Sequence, residues 1–81
     1  MRVTVRLFAR LKELAGTDTM AIDVAEPATV AMVWQATTAE APALLPYERA
    51  LSCAVNATFS RMSQPVSEGD DVAFLPPVSG G

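Results

Sequence analysis

Histidine is absent from this chain, and cysteine occurs once among its 81 residues. A histidine general base, a Ser-His or Cys-His pair and any histidine-ligated metal are therefore excluded. The single cysteine, Cys53, has no internal disulfide partner and supplies no cysteine-rich zinc site. It stands in the apolar run SCAV, where a buried small hydrophobe is the expected role. Lysine also occurs only once, as Lys12, and the net charge of −3 gives no overall basic character that would point to nucleic acid. Four of the six basic residues (Arg2, Arg6, Arg10, Lys12) fall within the first twelve positions, and acids dominate afterwards. No apolar run approaches a transmembrane length. The start MRVTVRLFAR lacks the continuous apolar segment of a signal peptide, so a cytoplasmic protein without membrane association is expected. Chemistry by the common side-chain catalysts is not expected in a chain without histidine, and neither a bound metal nor a bound cofactor is expected.

What is present is enough apolar material for one core. Hydrophobic residues make up 51% of the chain, which argues against disorder and for a single small domain. Residues 2–8 alternate: Val3, Val5 and Leu7 on one face, Arg2, Thr4, Arg6 and Phe8 on the other, as in a strand with a core side and a polar side. Phe8 interrupts the polar set and marks either a covered strand end or an exposed contact. ARLKELA (9–15) is made of strong helix formers and is followed by Gly16, a natural helix stop. Residues 17–24 form a second alternating segment, closed by Glu26-Pro27. Thr29 is an expected N-cap for a helix over about 30–38, whose stripe is Val30, Val33, Trp34 and Thr37. Trp34 is expected at the core or its edge.

Pro42 and Pro46 bracket a loop or helical turn, with Leu44, Leu45 and Tyr47 expected to cap the core. Residues 51–55 and 58–61 read as strands joined by a tight turn at Asn56-Ala57. Pro65 and the Ser67–Asp70 cluster mark another turn, and Asp71–Leu75 is the last strand, with Val72 and Phe74 inward. Strands on both sides of one main helix, in so short a chain, fit an α+β fold of the β-grasp type, a mixed sheet curled over that helix with first and last strands parallel. In that topology Phe8 and Leu75 emerge on the same outer face.

The ending FLPPVSGG is the most informative stretch. Pro76 and Pro77 cannot donate to a sheet ladder, so pairing stops there, and the chain divides into a domain (1–76) and a flexible tail (77–81). Five residues reach at most about 17 Å when extended, enough to thread the terminus into a pocket of another protein. Two terminal glycines arise by chance in roughly one chain in 200; their weight comes from the stiff Pro-Pro and the strand just before them. The expected working group is the Gly81 carboxylate, with Gly80 slender enough to enter a narrow channel.

Three segments, LFARLKELAGTD (7–18), AVN (54–56) and PVSEGDDVAFLPPVSGG (65–81), resemble the small subunits of molybdopterin synthase, a family of ubiquitin-like sulfur carriers, along the whole chain. The resemblance implies a β-grasp fold and a carrier that is not catalytic alone. An ATP-dependent adenylating enzyme of the ubiquitin-activating type would convert the Gly81 carboxylate to an acyl-adenylate, then a thiocarboxylate. The loaded tail would enter the large subunit in a heterotetramer and give its sulfur to a cyclic pyranopterin monophosphate, two such transfers building the dithiolene of molybdopterin. Phe8, Phe59 and Leu75 match the family's hydrophobic docking patch, and Lys12 matches a basic contact position. Pro76, Pro77, Val78 and Ser79 match the segment that leads the terminus into its partner. Here Leu75 replaces a family aromatic and Phe59 a family aliphatic residue. Alternatives are a carrier of the same shape serving thiamine or tRNA thiolation, or a protein modifier joined through Gly81.

Overall fold

The computed structural model describes residues 1–77. In chain order the elements are β1 (Arg2–Leu7), α1 (Ala9–Ala15), β2 (Thr19–Asp23), β3 (Ala28–Thr29), α2 (Val30–Glu40), a 3₁₀ segment (Pro42–Ala50), β4 (Ser52–Val55), β5 (Thr58–Ser60), β6 (Pro65–Val66) and β7 (Asp71–Leu75). Five strands form one sheet in the order β2-β1-β7-β4-β5, and β3 pairs with β6 in a two-stranded ribbon. β1 and β7 lie side by side and parallel at the centre, with Val5 opposite Val72 and Leu7 opposite Phe74. The other pairings are antiparallel. This is the expected β-grasp.

Alternation in the central strands assigns the two faces. Val3, Val5, Leu7, Val72 and Phe74 are almost completely buried, whereas Arg2 and Arg6 face solvent. The stripe Val30, Val33, Trp34 and Thr37 of α2 closes over the buried face. Trp34 meets Phe74 edge to face, with ring centroids 4.9 Å apart and planes at 61°, a geometry that sets the positive ring edge against the negative face. The indole Nε1 donates to Glu48 Oε1 at 3.1 Å, so the buried ring leaves no polar atom unpaired. Thr37 and Thr38, the buried hydroxyls of α2, donate to the carbonyls of Val33 (2.8 Å) and Gln35 (3.1 Å), as helical threonines do when no water is near.

Two expectations are corrected. The Thr29 side chain does not cap α2. Thr29 is instead held in β3 opposite Pro65, and this pairing brings the loop before β6 to the helix start. There the backbone N–H groups of Val30 and Ala31 donate to the carbonyls of Gln64 and Met62, both at 2.9 Å. Backbone acceptors do the work expected of a side chain. Leu45 is half exposed rather than capping the core. With three residues per turn, a 3₁₀ segment puts Leu44 and Tyr47 on one side and Leu45 off it; Leu44 is fully buried and Tyr47 packs against the core. Cys53 is buried, its Sγ against the Ser60 carbonyl at 3.3 Å, as expected for a packing residue.

Candidate docking face and tail exit

The site is built from one face of the sheet and the end of β7. Residues opposite one another in register share a face, so Arg6, Ala73, Ala54 and Phe59 form a row across β1, β7, β4 and β5 on the side away from α2. The next row toward the tail contains Leu75 and Ser52. Phe8, one residue beyond the Leu7–Phe74 pair, takes the register position beside Leu75. Among the described residues Phe59 is the most exposed large hydrophobic at 76%, and Phe8 is 44% exposed. Leu75 and Ala73 are half-buried, and Ala54 is buried. Small residues at the centre and large ones at the margin make a shallow apolar surface.

Phe8 owes its position to the backbone. It is extended (φ −122°, ψ 153°) and lies just before α1, while Ala9 follows at φ 51°. A left-handed alanine costs about 1–2 kcal/mol, and here the reversal starts the helix abruptly and leaves the Phe8 ring outside it. Phe8 then forms a wall of two clefts. One is lined by Arg6, Asn56, Ala57, Asp71 and Ala73 on the outer face; the other by Arg6, Leu7, Ala9, Lys12 and Asp18 at the start of α1. Lys12 is exposed and lies on this second cleft.

Polar groups bound the apolar rows on the side away from the tail. Arg6 pairs with Asp71, whose hydrogen bond and charge hold the guanidinium pKa above its ordinary value. The Asp71 backbone N–H donates to Asn56 Oδ1 at 2.9 Å, and Asn56 Nδ2 donates to Asp70 Oδ1 at 3.0 Å. Asn56 and Ala57, at φ 50° and 70°, make the tight hairpin turn expected there. Another cleft, lined by Met1, Glu26, Pro27, Val66, Ser67 and Glu68, lies at the opposite end of β1 and β7 from the tail. Among the described residues no group of three or more metal-ligating side chains is gathered, and no helix is long and apolar enough to cross a membrane.

Phe8, Phe59 and Leu75 are thus brought to one face, with Lys12 at its margin. Pro76 and Pro77 leave from its edge, Pro76 half-buried and Pro77 exposed. The expected roles of Val78, Ser79, Gly80 and Gly81 lie outside the described residues. Strand parity puts Arg6 on the side of Phe8 and Ala73 on the side of Leu75, as the structure has them, but only cross-strand register joins these two and Ala54 to Phe59.

The model of the ThiS family matches residues 5–81. The chain belongs to the ThiS family. This ThiS-family protein is 38% identical over 81 residues to the molybdopterin synthase sulfur carrier subunit of Escherichia coli, covering 98% of this chain and 99% of that one. Among solved structures, SAMP1 from Haloferax volcanii superposes with a TM-score of 0.88 at 31% identity over the full length of both chains. A complex of subunits 1 and 2 of the molybdopterin-converting factor from Helicobacter pylori contains a chain that matches with a TM-score of 0.71 at 26% identity, again over both full lengths. The ThiS-family match runs through the Pro-Pro and Gly-Gly positions as well as the sheet.

Proposed function

We propose that this protein is the sulfur carrier subunit of molybdopterin synthase and acts in the cytoplasm. The observation that carries the reading is the apolar face of Phe8, Phe59 and Leu75 set at the point where the chain leaves β7 toward Gly81; the E. coli relative supports it. A carboxylate is a poor acyl donor because its leaving group would be oxide. An ATP-dependent adenylating partner removes that obstacle: the Gly81 carboxylate attacks the α-phosphate, pyrophosphate leaves, and AMP becomes the leaving group. A sulfur nucleophile then displaces AMP to give the thiocarboxylate. The β-grasp domain docks through its apolar face on the large subunit; that one of the matching solved structures is a complex of subunits 1 and 2 of a molybdopterin-converting factor supports such a partner. Each loaded tail delivers one sulfur to a cyclic pyranopterin monophosphate, hydrolysis returns the carboxylate, and two such transfers complete the dithiolene. Domain docking makes the transfer effectively intramolecular. Catalytic side chains belong to the partners, consistent with a chain that has no histidine.

A second reading has one observation in its favour. SAMP1 is named a small archaeal modifier protein, and a modifier would join target lysines through Gly81. Self-conjugation has one internal target only, Lys12. Intact mass of the protein recovered from cells separates the readings. A carrier shows a species in which one oxygen is replaced by sulfur; a modifier shows high-mass isopeptide adducts and no such species.

A further inference from the structure

We infer that Arg61 is the orienting charge of the docking face, taking an aspartate or glutamate carboxylate on the large subunit. This rests on the docking proposed above and adds a contact that the apolar patch does not supply. Cys53 pairs with Ser60, and Ser52, one step toward the tail, pairs with Leu75. Arg61 directly follows Ser60, so it takes the register position opposite Ser52, in the row that runs through Leu75 to Phe8. It is exposed and sits next in sequence but one to Phe59.

The two arginines at the margins of the face differ. Arg6 is held by Asp71, so its charge is matched within the chain. Arg61 has no ion pair among the described residues. A cation without an ion-pair partner among the described residues at one corner, with Lys12 beyond Phe8 at the other, stands out in a chain of net charge −3. Apolar contact is non-directional, and a shallow surface of Ala54, Ala73, Leu75 and Phe59 permits more than one rotation of the partner. A cation at its corner selects the rotation that meets an acid, and only a correctly rotated domain points its tail into the pocket.

Calorimetric titration of the purified full chain with the purified large subunit, at low and high salt, tests this. Arg61→Gln is expected to weaken association about two- to fivefold at low salt, and Arg61→Glu about tenfold, with both gaps closing at high salt. Arg61→Lys is expected to bind nearly as the unaltered chain, and so is Arg49→Gln, which removes equal charge from the 3₁₀ segment. Should Arg61→Glu fail to fold, the Gln and Lys variants carry the comparison. Unaltered binding by Arg61→Gln, or equal weakening by Arg49→Gln, overturns the assignment. An Arg61→Gln effect that vanishes on removing Gly80 and Gly81 also overturns it, because Arg61 would then hold its own terminus. If Phe59→Ala weakens binding while the Arg61 variants do not, the docking reading stands without this contact; if the unaltered chain does not bind, the docking reading itself falls.

Discussion

Replacing Phe59 by alanine separates docking from folding more sharply than any other single change. The ring is 76% exposed. Of about 200 Å² for a phenylalanine, about 150 Å² is left to be covered by a partner, worth up to about 4 kcal/mol at about 25 cal/mol per Å². Association retains only part of such area because ordering and desolvation oppose it. The expected loss is about 2 kcal/mol, a dissociation constant raised about 30-fold. Folding has far less to lose. The covered quarter of the ring, about 50 Å², sets a ceiling of about 1 kcal/mol, and a surface ring leaves no internal cavity. Calorimetric titration against the large subunit together with urea denaturation measures both quantities on one sample. A stability loss above about 2 kcal/mol with unchanged binding would refute the reasoning and make Phe59 a folding residue.

Phe74→Ala is expected to do the reverse. The ring is fully buried against Trp34, so truncation should cost about 3–5 kcal/mol in denaturant titration, a large share of the stability of so small a domain. Ala57→Gly should raise stability by about 0.5–1 kcal/mol, since about 1–2 kcal/mol of Cβ strain at φ 70° is relieved and about 0.4–1 kcal/mol is given back to the more flexible unfolded chain; urea denaturation reads the gain. Asp23, hydrogen-bonded to Arg2, has its carboxyl pKa below the ordinary value. Its contribution is therefore complete above the ordinary carboxyl midpoint and is lost as pH falls through the depressed one. Carboxyl NMR titration should show the low midpoint, and Arg2→Gln should move it upward.

Much of this architecture was legible because local signals agreed with the global arrangement. Alternation in residues 2–7 and 71–75 identified the two central strands and their buried sides. Gly16 marked the end of α1, and Asn56-Ala57 marked a hairpin. What escaped depends on groups far apart in sequence. Thr29 carries a strong N-cap signal, yet the acceptors at that helix start are carbonyls of residues 62 and 64, positioned by a two-residue strand pair too short to show a period. Leu45 was misplaced because the bracketing prolines do not say whether the segment is loop or helix; in a helical turn Leu44 and Tyr47 share the buried side and Leu45, the next residue, is turned away from it. In the docking face, Phe8, Phe59 and Leu75 were visible as apolar residues out of pattern and through the family resemblance. The sides of Arg6 and Ala73 followed from parity, but their place in one row with Ala54 and Phe59, and that of Arg61 beside Ser52, did not, since register alone assembles a row from four strands.

The central claim is that sulfur travels on the end of this chain into another protein's pocket. A reaction without recycling tests it most directly: the chain carrying an isotopically labelled thiocarboxylate at Gly81 is mixed with the large subunit and the cyclic pyranopterin monophosphate, at two or more loaded chains per pterin because each supplies one of the two dithiolene sulfurs, and both products are weighed. The expected result is label in the pterin dithiolene with the chain returned to its carboxylate mass. A thiocarboxylate that persists in the presence of bound partner and substrate would contradict the account.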